Sequence, residues 1–267
     1  MAENLQLPTT VCFRVTRYCN ARCGFCLAPP DGAHPPADVL VRRLDWLAAH
    51  GVRTIHFCGG EPTIHPALPA LLAHVRARGA GSRMTTNGLV LTDALVDALR
   101  GAGTHVKLSL HGDRAHHDAV VGRPAFDLAT RHLRRLLAAG IPTTVQTTLV
   151  AGGEDMLDWM CDFCLAEHVP HLSFLPFIPR GEGGRTEARF GLAPQRRAQL
   201  REQARRQRHA LQGRLDVRWL DFAARPVHVV EADGRVVIER ARESMDTELG
   251  VIPGAGVARR RVPLRAA

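Results

Sequence analysis

Short runs of β-branched residues alternate with amphipathic helical patterns along the first 180 residues of the chain. This alternation is typical of parallel strands joined by crossover helices, because a parallel connection must carry the chain back across the sheet. Six βα units are too few to close an eight-stranded barrel, so we expect a curved, open sheet. The predicted strands are residues 9–16, 54–58, 82–86, 105–110, 143–149 and 171–177, and the predicted helices are residues 37–50, 67–78, 92–100, 126–139 and 154–168.

The sequence changes character after residue 180. Residues 194–211 form an Arg- and Gln-rich helical pattern without a wide apolar stripe, which is typical of a solvated cover. The β-rich runs that follow are residues 217–220, 227–231 and 235–239. Asp233-Gly234 joins the last two runs and predicts a β-hairpin. We therefore predict an α/β fold: a partial (βα)6 TIM-like barrel over residues 1–193, and a small C-terminal extension of helix, hairpin and tail over residues 194–267 that covers the active site.

The chain carries seven cysteines, an odd number, and its N-terminus lacks the layout of an export signal. A disulfide framework is therefore a poorer interpretation than metal ligation or buried thiols. No apolar run approaches the roughly 20 residues that a membrane span needs. We expect a cytoplasmic protein with no membrane partner.

The net charge of +9 predicts a surface that attracts anions. Lys107 is the only lysine, so nearly all of this charge comes from arginine. No aromatic residues interleave with the arginines in the way that a nucleic-acid interface requires. We therefore expect a general solvated surface, with no nucleic acid among the partners.

Cys19, Cys23 and Cys26 follow the first predicted strand, with three residues in the first gap and two in the second. Three thiolates on one short loop can each bind one corner of a cubane iron–sulfur cluster, which leaves the fourth iron open to a ligand. The alternative is a zinc loop completed by a distant residue such as His34 or His56. Zinc loops usually pair their cysteines two and two, so the spacing favours the cluster.

The run Cys19-Asn20-Ala21-Arg22-Cys23-Gly24-Phe25-Cys26 resembles the cluster loop of the radical S-adenosylmethionine (radical SAM) superfamily. That resemblance implies that Phe25 lies near the adenine of SAM. Gly59-Gly60-Glu61-Pro62-Thr63, at the end of the second strand, is similar to the motif by which the superfamily holds the methionyl amine. Glycines let bare backbone carbonyls approach an ammonium group, and a carboxylate adds a charge-assisted hydrogen bond.

Further strand ends are implied to contact SAM by the same resemblance, which covers about residues 9–185. C-terminal strand ends are where barrel folds collect active-site groups, so these positions agree with the predicted fold. The implied positions are Thr86, Asn87, Ser109, His111, Gln146 and Pro176.

The resemblance implies a 4Fe–4S cluster and SAM as cofactors, and an external one-electron reductant such as flavodoxin or ferredoxin. SAM cleavage would then give a 5′-deoxyadenosyl radical that abstracts hydrogen from a substrate carbon, which makes the chain an oxidoreductase. The protein has to position the ligands and exclude water, since the cofactor carries the difficult chemistry.

The substrate is predicted from two absences. The sequence has no long N-terminal extension to grip a leader peptide and no cysteine-rich C-terminal domain. Both favour a small-molecule substrate, such as a sugar, a nucleoside or a natural-product intermediate. The alternative is modification of a peptide or protein, including activation of a glycyl-radical enzyme. An alternative of another class is a non-catalytic iron–sulfur protein that transfers electrons or senses redox state.

The remaining candidates lie outside these motifs. His111, His116 and Arg180 are candidate catalytic residues near the expected cavity mouth, and Arg14 and Arg180 are candidate clamps for an anionic substrate. Two further pairs of cysteines are expected to be buried in the core and not to bind metal. These pairs are Cys161 with Cys164, and Cys12 with Cys58.

Overall fold

A computed structural model describes residues 6–222 and 225–253. Its strands are β1 (Thr10–Thr16), β2 (Thr54–Gly59), β3 (Gly81–Thr86), β4 (His105–Ser109), β5 (Thr143–Leu149), β6 (His171–Pro176), β7 (Asp216–Trp219), β8 (Val227–Val230), β9 (Arg235–Glu239) and β10 (Thr247–Val251). They form one sheet in the order β10-β9-β8-β1-β2-β3-β4-β5-β6-β7. Strands β1 to β7 are parallel and follow chain order, and β8 is parallel to β1.

The helices connect the parallel strands, and most of them pack on one face of the sheet. They are α1 (Ala37–Ala49), α2 (Leu68–Ala77), α3 (Asp93–Gly101), α4 (Arg114–Val121), α5 (Phe126–Ala138), α6 (Met156–Ala166), α7 (Glu182–Arg185), α8 (Glu187–Phe190) and α9 (Pro194–Ala210). Alternate residues of each strand meet these helices; in β1, for example, Val11, Phe13 and Val15 belong to the main core. The residues between them face the opposite, concave side, where the functional groups lie.

The predicted open α/β barrel is confirmed, because the six predicted strands form neighbouring parallel strands of one unclosed sheet. Helix α4 was not predicted. Its segment reads as a polar loop, since only its last two residues, Val120 and Val121, are apolar and buried. The helix is defined by its ends instead: Asp113 accepts a hydrogen bond from the His116 backbone at its start, and Gly122 closes it with φ 77°.

The C-terminal helix and hairpin are also present, but the sheet pairings of this region were not predicted. Strand β7 extends the sheet beside β6, and the β8–β9 hairpin, with β10, extends it beside β1. The division at residue 193, and the covering role of the extension, stay predictions. Residues 254–267, most of the predicted tail, lie outside the described residues. Within the described ranges, no helix has the length and apolar character that crossing a membrane requires.

Candidate functional site

The cysteine loop that follows β1 is held by helix α4 on one side. The backbone N–H of Arg22 donates to the carbonyl of Val121 at 3.0 Å, and that of Gly24 donates to the carbonyl of Val120 at 3.2 Å. These bonds use carbonyls at the C-terminus of α4, which have no partner within the helix. The unpredicted helix therefore fixes the loop that carries the three cysteines.

The segment after β6 holds the other side of the same loop. The backbone N–H of Glu182 donates to the carbonyl of Cys26 at 2.8 Å, and the Thr186 hydroxyl donates to the carbonyl of Gly24 at 2.6 Å. Gly181, at φ 61°, lies so close that a Cβ atom there would be 2.7 Å from the Cys26 oxygen. The first and last βα units thus meet at the cysteine loop.

The three thiols lie in a largely buried, apolar environment. Burial raises the pKa of Cys19 to about 11 and that of Cys23 to about 12, and it also raises the pKa of Cys26. Each neighbouring thiolate adds to the rise for Cys23. A coordinated metal reverses this preference, because a thiol that binds a metal is deprotonated. Three such thiols on one loop fit the donor set of an iron–sulfur cluster.

A mononuclear zinc site is a poorer fit to these residues. Within the described part of the chain, no three His, Cys, Asp or Glu side chains converge on one point suited to a single metal ion. In a cubane, by contrast, each of three thiolates binds a different iron atom. The two histidines considered as zinc ligands have other partners: His34 Nδ1 lies 2.9 Å from the Thr16 hydroxyl, and His56 Nε2 lies 2.8 Å from the Thr85 hydroxyl.

The two glycines at the end of β2 allow it to approach the cysteine loop closely. Gly60 donates to the Thr16 carbonyl at 2.8 Å, and Glu61 donates to the Tyr18 carbonyl at 2.7 Å. A Cβ atom on Gly59 would lie 2.2 Å from the Thr16 oxygen, and one on Gly60 would lie 1.9 Å from the Tyr18 oxygen. Glycine is therefore required here by the backbone packing alone. Contact of these residues with the methionyl amine stays a prediction.

Glu61 is 1% exposed and its carboxylate binds groups of the protein. One oxygen accepts hydrogen bonds from the Thr63 backbone, the Thr63 hydroxyl and the Thr86 hydroxyl at 3.0, 2.7 and 2.7 Å. The other accepts from the Asn87 backbone at 2.7 Å, and the Asn87 amide donates to Asn20 in the cysteine loop at 2.8 Å. Burial raises the pKa of Glu61, and these hydrogen bonds oppose the rise. Glu61 thus joins β2, β3 and the loop, and its pairing with SAM stays a prediction.

His111, just after β4, lies beneath the cysteine loop. Its ring meets that of Phe25 edge-on, with 4.7 Å between centroids. Its Nδ1 accepts a hydrogen bond from the Thr148 backbone at 3.1 Å, which places the proton of the neutral ring on Nε2. Burial lowers the pKa of His111 well below its usual value. The side chain is therefore a neutral hydrogen-bond donor beside the aromatic residue predicted to contact adenine.

The other predicted SAM contacts occupy the same end of the barrel. Ser109 and Gln146 are register partners on β4 and β5, and both are partly exposed on the concave face. Pro62 is buried at the start of a short 3₁₀ turn, and Pro176 is the last residue of β6. The structure thus brings these strand ends to one rim. Their contacts with SAM stay predictions.

His116 packs against the loop that follows β5. Its ring covers Gly153 in the loop after β5, where a Cβ atom on the glycine would lie 2.2 Å from the ring. The side chain is therefore directed to that loop. A catalytic role for His116 stays a prediction.

The two candidate arginine clamps bind carboxylates of the C-terminal extension. Arg14 and Arg180 are 4% and 5% exposed, and both donate to Glu239 at 2.9 Å. Arg14 also contacts Glu231, and Arg180 donates to both carboxylate oxygens of Asp246 at 2.8 and 2.9 Å. The side chains predicted to hold a substrate therefore hold the hairpin and β10 against the barrel. We found no signal in the sequence that pairs Arg14 with a carboxylate more than 200 residues away.

The prediction for Cys12 and Cys58 is wrong in part. Both are partly exposed and lie on the concave face of the sheet. The Cys12 sulfur lies 3.9 Å from His56 Nδ1. By contrast, Cys161 and Cys164 are buried in the main core, as predicted.

Comparison with known proteins settles the family. The family model for the radical SAM superfamily matches residues 13–164, which is more than half of the 267-residue chain. The chain belongs to the radical SAM superfamily. Radical SAM enzymes use a 4Fe–4S cluster and SAM, so these are its cofactors. A zinc module and a non-catalytic iron–sulfur protein are therefore excluded as alternatives.

Individual relatives differ in the molecules they are named for. The radical SAM chain is 31% identical over 164 residues to a PqqA peptide cyclase of Streptomyces rochei, covering 59% of this chain and 45% of the relative. It is 38% identical over 146 residues to a GTP 3′,8-cyclase of Chlorobaculum tepidum, covering 52% and 44%. The chain thus spans less than half the length of these relatives.

Solved structures support the fold. Streptococcus suis SuiB bound to S-adenosylmethionine has a TM-score of 0.75 and 18% identity, covering 93% of this chain and 64% of SuiB. SuiB bound to its precursor peptide SuiA has a TM-score of 0.74 and 17% identity, covering 87% and 59%. With peptides named for both SuiB and the PqqA cyclase, the predicted preference for a small-molecule substrate is not supported.

Proposed function

We propose that this radical SAM enzyme modifies a peptide by abstracting a hydrogen atom from one of its residues. The observation that carries the proposal is the cysteine loop, whose three cysteines lie on one short segment fixed by helix α4 and by the segment after β6. When bound, the cluster would pass one electron from an external reductant to SAM, which would supply a 5′-deoxyadenosyl radical and release methionine. Everything else in the reaction depends on how the chain holds its ligands.

Cys19, Cys23 and Cys26 are the proposed cluster ligands. Phe25 and His111 form an adjoining wall suited to adenine, because an aromatic face and a neutral N–H donor lie side by side there. The chain of hydrogen bonds from Glu61 through Asn87 to the loop keeps the ligands in position. The Phe25 and His111 rings, together with this series of hydrogen bonds, exclude water from the reacting atoms.

A peptide substrate is favoured by the relatives. The PqqA peptide cyclase, the mycofactocin maturase MftC of Mycobacterium tuberculosis and SuiB are all named with peptides or their maturation. The open concave face also suits a chain that inserts a side chain and leaves its backbone outside. An external one-electron reductant, such as a flavodoxin or ferredoxin, is the expected partner.

The ligand assignment is tested by four variants: Cys19→Ala, Cys23→Ala, Cys26→Ala and Cys161→Ala. Each protein is reconstituted with iron and sulfide without oxygen, reduced with dithionite and given SAM, and 5′-deoxyadenosine is measured by mass spectrometry. We expect the product to disappear in the first three variants and to persist in the fourth, which changes a buried thiol of the core. Persistence of 5′-deoxyadenosine in any of the first three would refute the assignment.

The substrate class is tested with deuterated synthetic peptides whose sequences are encoded beside the gene for this protein. Deuterated GTP is tested in parallel. Transfer of deuterium from a peptide carbon into 5′-deoxyadenosine supports the proposal. Transfer from deuterated GTP alone would instead place the chain with the nucleotide cyclases.

A further inference from the structure

The concave face of the sheet contains cations that the cofactor site does not use. In β4, Val106 and Leu108 belong to the main core, so Lys107 between them points to the concave side. Arg83 on β3 lies in register with His105, which stands two residues before Lys107 on the same face of β4. Arg218 on β7 faces the same side. We call Arg83, Lys107 and Arg218 the cationic wall.

The charges of this wall act on one another across the curved sheet. Burial lowers the pKa of Lys107, and the positive charges of Arg83 and Arg218 lower it further, while Cys12 opposes them. Arg218 and Lys107 are three strands apart, which is about 14 Å in a flat sheet. The three side chains border the same concave space, because β3, β4 and β7 belong to one unclosed barrel sheet.

Only one of the three cations is compensated by a carboxylate. Arg218 donates to Asp216 at 2.7 Å, and Asp216 also binds His171. Within residues 6–222 and 225–253, Arg83 and Lys107 have no hydrogen-bond or ion-pair partner. The Lys107 ammonium is not among the fully buried polar atoms that lack a partner, so it is accessible from the concave space.

Lys107 also lies at a useful depth. It stands two residues before Ser109, the end of β4, which is about 7 Å along the strand from the rim where the SAM contacts are predicted. An acidic side chain of a substrate can reach this depth while its backbone stays near the rim. Lys107 is partly buried and Arg83 is exposed. A partly buried, unpaired cation costs stability, so the presence of Lys107 favours a ligand that neutralises it.

We propose that Lys107 and Arg83 bind an anionic group of the substrate inside the barrel, a carboxylate or a phosphate. This proposal deepens the proposed function, since it rests on the substrate entering the concave face, and it names the chemistry of the substrate's inserted group. Lysine supplies a compact point charge and arginine a planar pair of donors, and both bind oxyanions.

The single lysine makes the test unusually direct. Reductive methylation of the cluster-loaded protein with ¹³C-formaldehyde labels Lys107 and the N-terminal amine and leaves both charged. The Lys107 resonance is assigned by its loss in Lys107→Arg. Glutarate and inorganic phosphate are then titrated at constant ionic strength, with chloride as the reference anion.

We expect the Lys107 resonance to shift saturably with glutarate, with phosphate or with both, and the N-terminal resonance to stay unchanged. Saturation with glutarate alone identifies a carboxylate site, and saturation with phosphate alone identifies a phosphate site. Arg83→Gln should weaken the affinity roughly fivefold. Arg131→Gln, which removes an exposed arginine from helix α5, should leave it unchanged.

The proposal is wrong if neither anion gives a saturable shift, or if Arg83→Gln and Arg131→Gln behave alike. Because the titration involves no SAM cleavage, its outcome is separate from the 5′-deoxyadenosine assay. An inactive cofactor site with a working anion site, or the reverse, would show which of the two proposals fails.

Discussion

The concave face has two halves that treat positive charge differently. On the side of β1 and β9, Arg14 and Arg180 are buried and share Glu239, and two more carboxylates complete the cluster. On the side of β3 and β4, Lys107 and Arg83 have no carboxylate partner in the described residues. The first half is neutralised by the protein itself and the second is not.

The difference separates charges that maintain the fold from charges that are available to a ligand. A buried arginine without a counter-ion is very costly, so the carboxylates of the paired half stabilise the fold. A partly exposed cation keeps some of its hydration and costs less, so the chain can leave it unpaired. The paired arginines are therefore a poor choice of substrate clamp, and the unpaired lysine is a better one.

The largest expected effect is loss of the shared carboxylate. Glu239→Gln leaves Arg14 and Arg180 each without their common partner in a buried site, which should lower the free energy of unfolding by about 3 kcal/mol. Denaturant unfolding measures the change. Glu248→Gln is the matched control, because its side chain is 52% exposed and its ion pair with Arg235 is long at 3.4 Å. A change of similar size in both variants would show that the buried cluster around Glu239 contributes no more to stability than an exposed ion pair.

Removing the unpaired lysine should affect stability much less. Lys107→Met takes away a partly buried cation, so we expect the free energy of unfolding to stay within about 1 kcal/mol of the wild-type value at neutral pH or to rise. The folded-state pKa of Lys107 lies below its unfolded value. The unfolded chain therefore binds more protons in the window between the two, and wild-type stability gains with rising pH there.

The pH dependence of that comparison is the sharper measurement. Any advantage of Lys107→Met over the wild type should shrink as pH rises toward 10.5, the unfolded-state value, because the wild-type lysine loses its charge in the folded state first. Unfolding curves of both proteins at several pH values test this. If the stability advantage of Lys107→Met instead grows with pH, Lys107 is not an unpaired cation that destabilises the folded state.

The smallest expected effect comes from converting a paired cation into an unpaired one. Asp216→Asn removes the carboxylate that pairs with Arg218, so the affinity of the cationic wall for phosphate should rise about threefold. The same substitution should lower the free energy of unfolding by less than about 1 kcal/mol. Asp158→Asn makes the same charge change on helix α6, where Asp158 binds Gln203 and Gln207 of α9. Equal gains in the two variants would indicate a general charge effect with no local release of Arg218.

Much of the fold could be predicted from local patterns. The alternation of strand and helix runs, with a glycine after most helices, predicted the six parallel strands and the open sheet correctly. Helix α4 was missed because its apolar residues are confined to one end, and its start depends on the Asp113 cap. The placement of the hairpin beside β1 was missed because strand pairing between distant segments has no local signal.

The site was predictable to a similar extent. Cys19, Cys23 and Cys26 could be found from their spacing, since a loop of three cysteines has few other uses. The interior of the barrel could not, because strand alternation tells which residues share a face without telling which charges meet across it. Arg14 and Lys107 look alike in the sequence, and only the distant carboxylate Glu239 makes their roles different.

Glu239 also bears on how the chain is made. It connects Arg14 to Arg180, and it follows them by 225 and 59 residues in the sequence, so it is synthesised after both. Until it arrives, the nascent chain holds two guanidinium groups that favour solvent over a closed interior. Closure of this side of the barrel is thereby delayed until Glu239 has been synthesised, long after the cysteine loop has left the ribosome.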